Sequence, residues 1–412
     1  KRGGSLIKRY GFSSRKSIRR ISHLVETLSA HGCSPTFFVP AIVVNRHRPF
    51  IQELQECGCE IGVHGFQHVD LKSYPPEEAN RQLQRAMDLL RRNGVNAIGF
   101  RCPYLSASNE LMQSLTQQTF HYSSNKAIEW GDGRESRQSA DLIFSKVRAF
   151  YQPSKSLEEL YLPYKQDGLV EIPVCVPDDL QMADGLAYSQ DQIASVWMEI
   201  LNQTHARGEL FNLMFHPELA DQCEAPVIRV LETAAKLKGR VWVTRLKEIS
   251  EWWEEKEHFK VEVWRSDDRV KMKFNCSERA TLLGRGVDMG DQTTPWDEPY
   301  IRFQAQPLDL STPVIPCIGL ADDLPSWVET NLKGMGYIVV KGEEASACGI
   351  FLTPGMCRDL NNPVLLVEFL EQQTIPLIRF WPWPDGARSA LCVTGDLDAL
   401  SLADYATRLL PF

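Results

Sequence analysis

The sequence has no apolar run near the roughly 20 residues that a membrane span requires; the segments 362–370 and 210–215 are far too short. It also lacks an excess of positive charge. Lys and Arg number 45 against 53 Asp and Glu, a formal charge of −8, which argues against a nucleic-acid partner. The locally basic stretch 1–20 reads as a solvated helix face rather than a phosphate-binding patch. Close cysteine pairs are scarce. Eleven cysteines are scattered through mostly apolar surroundings, and Cys57-Gly58-Cys59 is too tight for a zinc knuckle. The expectation is reduced thiols in a cytoplasmic protein. No signal peptide is visible, though the chain does not begin with Met, which leaves room for a preceding segment. Internal repeats and low-complexity tracts are missing as well. What remains is a globular composition, 43% hydrophobic and 24% charged over 412 residues, enough for two or three domains.

From residue 14 to about 255 the pattern alternates between strand-like and helix-like segments. Residues 17–30 carry an apolar stripe of Ile18, Ile21, Leu24, Val25 and Leu28, closed by Gly32. Strands are expected at 36–39, 60–63, 97–100, 120–123, 169–172, 211–215 and 241–243. Helices are expected at 48–57, 76–92, 110–118, 190–201, 225–238 and 246–255. Strand–helix units with helix-length crossovers imply an α/β fold with a parallel sheet or barrel. The domain expectation is a main α/β part over 1–257, a β-rich insertion over 258–312 and a small α/β region over 313–386. A closing segment, 387–412, holds the strand 390–394 and the helix 402–410. The glycines of 284–290 superficially resemble a dinucleotide loop, but without a βαβ frame they read as a turn. Residues 381–386, Trp-Pro-Trp-Pro-Asp-Gly, read as a rigid linker.

Four strand ends deliver polar groups. His64 and His68 follow the strand 60–63; on a helical turn, residues four apart share a face and can meet one ion. Asp396 and Asp398 follow the strand 390–394, and two close carboxylates call for a cation or separate roles. Arg101 opens Arg101-Cys102-Pro103-Tyr104 after the strand 97–100, where a guanidinium can hold and aim a carboxylate. His216 follows 211–215 and precedes Pro217. Each has a plain structural reading too: a coincidental histidine pair, an N-cap, a surface arginine, a core histidine. It is their recurrence at strand ends that favours chemistry, because α/β folds place sites there.

These residues resemble the polysaccharide deacetylases, the NodB-like carbohydrate esterases of family four. That family has an aspartate pair, a His-x-x-x-His pair, an Arg-x-Pro turn, an Asp-x-Trp and a late Leu-x-x-His. Asp396/Asp398, His64/His68, Arg101/Pro103/Tyr104 and Leu213/His216 are similar to four of the five. Thr36–Val39, Gly62-Val63, Tyr122-Ser123-Ser124 and Glu171-Ile172-Pro173 resemble the family text around them. The resemblance covers about 8–255 and 388–410. It implies a distorted (β/α) barrel of about seven parallel strands, completed by 387–412. The aspartate motif comes last, so the chain resembles a circularly permuted member; the alternative is a tandem protein with an aspartate motif before Lys1. Gly65 stands where the family has Ser or Thr. The Asp-x-Trp is not apparent, and Asp167 is the candidate for its role.

The resemblance implies that Asp398, His64 and His68 hold one divalent ion, zinc by default, with cobalt, nickel, iron or manganese also suited. Asp396 would be the base, Arg101 its partner, the Tyr104 N–H an oxyanion donor and His216 the acid, with Pro103 and Leu213 at the substrate. The implied reaction is hydrolysis of a C–N amide bond, most simply N-deacetylation of an amino sugar. The alternatives are a small-molecule amidase or cyclic-imide hydrolase of the same superfamily, to which Glu171-Ile172-Pro173 is similar, and a catalytically dead carbohydrate-binding relic. The partner is an N-acylated sugar or small amide, its choice set by loops such as 126–138 and by the inserted region. An iron(II) oxygenase using His68, Asp70 and His216 is disfavoured by the α/β alternation. A nucleotide-sugar transferase is disfavoured by an acidic pair so near the C-terminus.

Overall fold

The computed structural model describes residues 9–116, 118–130, 142–266, 268–290 and 293–409. Residues 1–8 of the basic stretch, 131–138 of the loop 126–138 and position 410 of the last helix lie outside the described residues. Two compact units emerge, one of 1–155, 165–250 and 390–412, the other of 156–164 and 251–389.

The first unit is built on one sheet. Its strands in chain order are β1 (Thr36–Val39), β2 (Glu60–Val63), β3 (Gly99–Phe100), β4 (Tyr122–Ser123), β5 (Ala127–Glu129), β6 (Ser154–Lys155), β7 (Tyr164–Gln166), β8 (Leu169–Glu171), β9 (Val174–Val176), β10 (Leu210–Phe215), β11 (Arg240–Val243) and β12 (Ala387–Asp396). The order across the sheet is β6-β5-β9-β10-β12-β1-β2-β3-β4-β8-β7, with β11 beside β12. The pairs from β10 through β12, β1, β2, β3 and β4 to β8 are parallel, as are β5–β9 and β9–β10. Every residue of β1 and β10 is buried, which is why both read as unbroken apolar runs rather than alternating ones.

The sheet curls into a half-barrel because of how the chain crosses its seam. Only 124–126 separate β4 from β5, and only 172–173 separate β8 from β9, yet these strands lie at opposite parts of the sheet order. At the seam, ladder pairing is interrupted and the backbone needs other acceptors. Glu171 supplies them: its Oε1 accepts from the N–H of Asn125 at 2.6 Å and of Lys126 at 2.7 Å, and its Oε2 accepts from the Ser123 hydroxyl. The Asn212 side chain donates to the Pro173 carbonyl at 2.8 Å across the same gap. The strand count exceeds seven because these kinked strands each count twice and short edge strands are added.

Helices cover the sheet. α1 (Arg15–Ala30) buries Ile21, Leu24, Val25 and Leu28, the expected stripe, with Ile18 half-buried. α2 (Pro76–Arg92) has Glu77 and Glu78 in its first turn and Arg91 and Arg92 in its last, as the helix dipole favours. α3 (Gln190–Arg207) starts on a reciprocal Ser189–Gln192 capping box and stops at Gly208, six residues past the expected end. α4 (Ala220–Ala234) begins five residues early and carries Pro226 in its interior, where proline costs its own N–H bond but is buried against neighbours. The helix Ala41–Arg46 and the strands β5, β6, β7 and β9 escape sequence reading; segments of two to six residues give too little periodicity.

The second unit holds three small sheets. Lys260–Ser266, Arg269–Asn275 and Leu308–Ser311 form an antiparallel one. Leu282–Arg285 pairs antiparallel with Ile301–Phe303 and Leu377–Phe380, and Thr293–Pro295 joins outside. Ile315–Leu320 lies parallel between Val339–Val340 and Cys348–Leu352, in sequence with the helices Ser326–Gly334, Pro354–Asp359 and Pro363–Gln372. The glycines of 284–290 thus belong to a strand and a turn, not to a βαβ phosphate loop. Residues 381–386 are not a linker. Trp383 is fully buried against Trp253, with ring centroids 5.4 Å apart, so the segment is core.

Candidate functional site

The carboxyl ends of five strands fall in one row. The register pairs Phe38 with Asp396, Val39 with Val63, Val63 with Phe100 and Phe215 with Gly395. Asp396 is the last residue of β12, and His64, Arg101 and His216 are the first residues beyond β2, β3 and β10. Parallel pairing therefore brings to one edge side chains that are hundreds of residues apart in sequence.

At that edge His64, His68 and Asp398 form a buried triad whose ligand-type atoms lie within 4.8 Å of one another. Asp398 Oδ1 is 3.1 Å from His68 Nε2 and 3.6 Å from His64 Nε2, and Asp396 Oδ2 is 3.8 Å from His64 Nε2. The Nδ1 of His64 donates to the Arg101 carbonyl at 2.8 Å, which turns Nε2 towards the two carboxylates. That nitrogen and Asp398 Oδ1 are buried with no hydrogen-bond partner among the described residues. A ligand-type nitrogen buried beside two carboxylates is an arrangement that a cation between them suits. The donor set, two imidazole nitrogens and a carboxylate oxygen, fits a divalent ion. The protonation tendencies agree. Burial, above all, holds His68 well below the ordinary histidine value. Burial alone would lift Asp398, but His68, His64 and His216 outweigh it and hold the carboxyl well below its usual range.

Local backbone places the pair. Residues 64–68 form an irregular bend, not the helical turn expected from the four-residue spacing. Gly65 sits at φ +79, and a Cβ there would meet the Gln67 carbonyl at 3.0 Å and the Pro103 ring at 3.5 Å. Glycine is the residue that a left-handed backbone under a proline ring requires. Pro103 opens a short turn in which Tyr104 has φ +62. The Tyr104 ring stands edge-on to His68 at 4.6 Å and stacks on Phe150 at 5.1 Å.

Arg101, fully buried, fixes Asp396. Its Nη1 donates to Asp396 Oδ1 at 2.8 Å and to the Thr394 hydroxyl at 3.1 Å; its Nη2 and Nε donate to the Ser124 hydroxyl and carbonyl at 2.9 and 3.1 Å. The guanidinium also lies 4.3 Å from the Phe38 ring centroid. All of this leaves Asp396 Oδ2 facing His64. Leu213 lies in β10 opposite Val393, its side chain fully buried, three residues before His216.

The partner of His216 is Asp179, not Asp167. Asp179 Oδ1 accepts from His216 Nδ1 at 2.8 Å and its Oδ2 accepts from the His216 backbone N–H at 2.9 Å. Burial would depress His216, but the Asp179 charge and hydrogen bond push it up to about 10. Asp167 occupies an exposed turn at φ +51 between β7 and β8. The missed signal was Pro177-Asp178-Asp179, an acidic pair directly after β9; Asp178 anchors it by accepting from Tyr151 and from the Gln181 N–H, both at 2.7 Å. Asp70, the acid of the oxygenase alternative, accepts the Lys72 N–H in a local turn.

Known proteins resemble this part of the chain. Residues 19–123 match the family model for polysaccharide deacetylase. A bifunctional xylanase/deacetylase of Pseudobutyrivibrio xylanivorans is 22% identical over 129 residues, 31% of this chain and 21% of that relative, so the chain spans about a fifth of it. Among solved structures, the family 4 carbohydrate esterase of Streptomyces lividans in complex with acetate is 15% identical, with 52% of this chain and 81% of that one covered at a TM-score of 0.32. The PuuE allantoinase is 17% identical over 58% of this chain and 73% of that one, with a TM-score of 0.45. The family match covers the stretch that carries His64, His68 and Arg101.

Proposed function

We propose that the chain is a metal-dependent amide hydrolase that removes an N-acetyl group from an amino sugar, with zinc as the ion held by His64, His68 and Asp398. The observation that carries this is the buried His64 Nε2, without a hydrogen-bond partner among the described residues, facing Asp398 and Asp396. A divalent ion in such a site supplies Lewis-acid polarisation and lowers the pKa of water. Asp396, held and aimed by Arg101, takes the proton from the attacking water. The Tyr104 N–H donates to the oxyanion as the C–O bond forms. His216, cationic through Asp179, gives its proton to the nitrogen as the C–N bond breaks. Water and amide become a carboxylic acid and an amine.

The position of β12 between β1 and β10 supports a circular permutation of the family order. On that reading the acids of the tail serve the histidines of the head within one chain. A tandem protein would instead bring acids from before Lys1.

The test is metal analysis of the 1–412 protein followed by acetate release from N-acetylated sugars. One ion per chain and acetate release are expected for the wild type, and loss of the ion for His64→Ala. Normal metal content in His64→Ala refutes the ligand assignment, and no acetate from the metal-loaded wild type refutes the reaction.

A further inference from the structure

Two arginines stand beside the triad with N–H groups that no described residue takes up. Arg9 Nη2 is 4.0 Å from Asp398 Oδ2 and 3.8 Å from Glu218 Oε2, close enough for attraction but beyond hydrogen-bond reach. Its Nε and Nη2 are buried without a hydrogen-bond partner among the described residues. The Nη2 of Arg408 is buried without a hydrogen-bond partner among the described residues, while its Nε donates to the Tyr405 carbonyl at 3.1 Å; that arginine acts on His68 by its charge and on the Tyr104 phenol by charge and a hydrogen bond. A ladder of rings holds the two side chains. The Arg9 guanidinium lies 5.0 Å from the Tyr10 ring, Tyr10 lies 5.2 Å from Tyr405, and the Arg408 guanidinium lies 3.9 Å from the Tyr405 ring.

Buried guanidinium groups that serve structure end on acceptors. Arg285 and Arg379 in the second unit do so: Arg285 Nη2 donates to the Leu370 carbonyl at 2.7 Å, and Arg379 Nη1 to Glu371 Oε1 at 2.7 Å. Arg9 is different, and Arg408 reaches one carbonyl, that of Tyr405, with its Nε and leaves Nη2 over. Glu218, the nearest acid to Arg9, gives its Oε1 to the Ala399 N–H at 3.0 Å, just past Asp398. Two guanidinium groups with donors left over among the described residues, close to a site that itself takes a divalent cation, repel that cation. Incoming negative charge removes the repulsion and fills the idle donors, and guanidinium geometry suits oxyanions.

We propose that the substrate of this site carries an oxyanion, a carboxylate or a phosphate, in addition to its amide, and that Arg9 and Arg408 receive it. The inference rests on the amide-hydrolase reading and narrows its substrate class to acidic N-acyl compounds.

The probes are three N-acetylglucosamine derivatives that differ only at C6: the hydroxymethyl parent, the 6-phosphate and the 6-carboxylate. Their binding to the zinc-loaded 1–412 protein is measured by titration calorimetry. At least one acidic probe is expected to bind tenfold or more tightly than the parent. Arg9→Gln and Arg408→Gln should each narrow that gap several-fold while the parent binds as before. Should a glutamine variant fail to fold, as judged by its thermal melt, the lysine variant replaces it; it keeps the charge but loses the fork, and a smaller narrowing is expected. Equal affinity for the three probes, no binding at millimolar concentration, or a gap that persists in both variants (as direct capture of the anion by zinc would leave it) overturns the proposal. The gap without acetate release from any probe counts against the amide-hydrolase reading alone and leaves the oxyanion site standing.

Discussion

Both units bury charge, but they treat it in opposite ways. In the second unit, Glu371 accepts from Arg379, Tyr337 and Tyr300, and Arg285 pairs with its other oxygen at 3.4 Å. The same two arginines close the ends of helices. Arg285 donates to the carbonyls of Leu370 and Ile375 at one of them, and Arg379 donates to that of Met335 at the other. Donors and acceptors are matched, and the cluster reads as structure. In the first unit Arg101 and Asp396 are matched, but His64 Nε2, Asp398 Oδ1 and the Arg9 donors are not. Buried charge alone therefore does not mark a site. Buried charge with valences left over does, because folding would not retain that cost without something to bind.

The comparison breaks most visibly at Asp396. Asp396→Asn should retain the ion, since His64, His68 and Asp398 are untouched, yet lose turnover by on the order of 10²–10⁴-fold, the usual scale for a general base. Metal analysis and acetate release on one preparation check this; an active variant removes Asp396 as base. Glu371→Ala should do the reverse. It strands two buried arginines and costs roughly 2–3 kcal/mol, less than the loss of a fully buried pair because Glu371 is a third exposed. Denaturant unfolding should show that loss, with metal content and turnover per folded molecule unchanged. A collapse of metal binding in Glu371→Ala would mean that the two clusters are not independent.

Asp179→Asn sharpens the comparison through pH. His216 is raised from an ordinary 6.5 to about 10 by Asp179, with burial opposing. A raised base contributes stability that is fully present below pH 6.5 and disappears as pH climbs through about 10. Wild type and Asp179→Asn should therefore differ in stability at pH 6 and converge towards pH 10. For the same reason the alkaline limb of kcat/KM, set by loss of the His216 proton, should fall well below pH 10 in the variant. An alkaline limb that does not move would mean that His216 is not the acid.

Much of this was legible in the sequence. Thr36–Val39, Glu60–Val63 and Leu210–Phe215 announce themselves as buried strands, and each of the last two is followed directly by a histidine of the site. Arg101 and the Asp396/Asp398 pair were visible as polar residues at strand ends. Asp179 was not, because a hydrogen bond to His216 depends on β9 lying beside β10, a pairing that three residues of strand do not reveal. Glu171-Ile172-Pro173 was legible as text but not as physics. It reads as a mark of small-amide hydrolases, yet Glu171 satisfies backbone donors where the curled sheet is interrupted, a need that any substrate leaves unchanged. The buried tryptophans of 381–386 read as a linker because proline and glycine dominate the local signal, while burial is decided by Trp253 far away in sequence.

The smallest expected effects come from one glycine in each unit. Gly65 at φ +79 and Gly286 at φ +63 both sit where an L side chain is strained, and alanine at either should cost about 1 kcal/mol. What differs is what the added methyl group meets. At Gly286 its nearest contact is Pro376 at 3.4 Å, an ordinary distance, so the loss should be confined to stability. At Gly65 it meets the Gln67 carbonyl at 3.0 Å, within the five residues that carry both His64 and His68. Relief of that contact must shift the bend and pull the imidazoles out of register with Asp398. Gly65→Ala should therefore lose zinc affinity by about 10–100-fold, the scale seen when the support of a ligand is disturbed, while Gly286→Ala keeps it. Competition with a chromogenic chelator reads both. Equal zinc affinity in the two variants would mean that the bend does not position the histidines, and that the contrast between the two units stops at the triad itself.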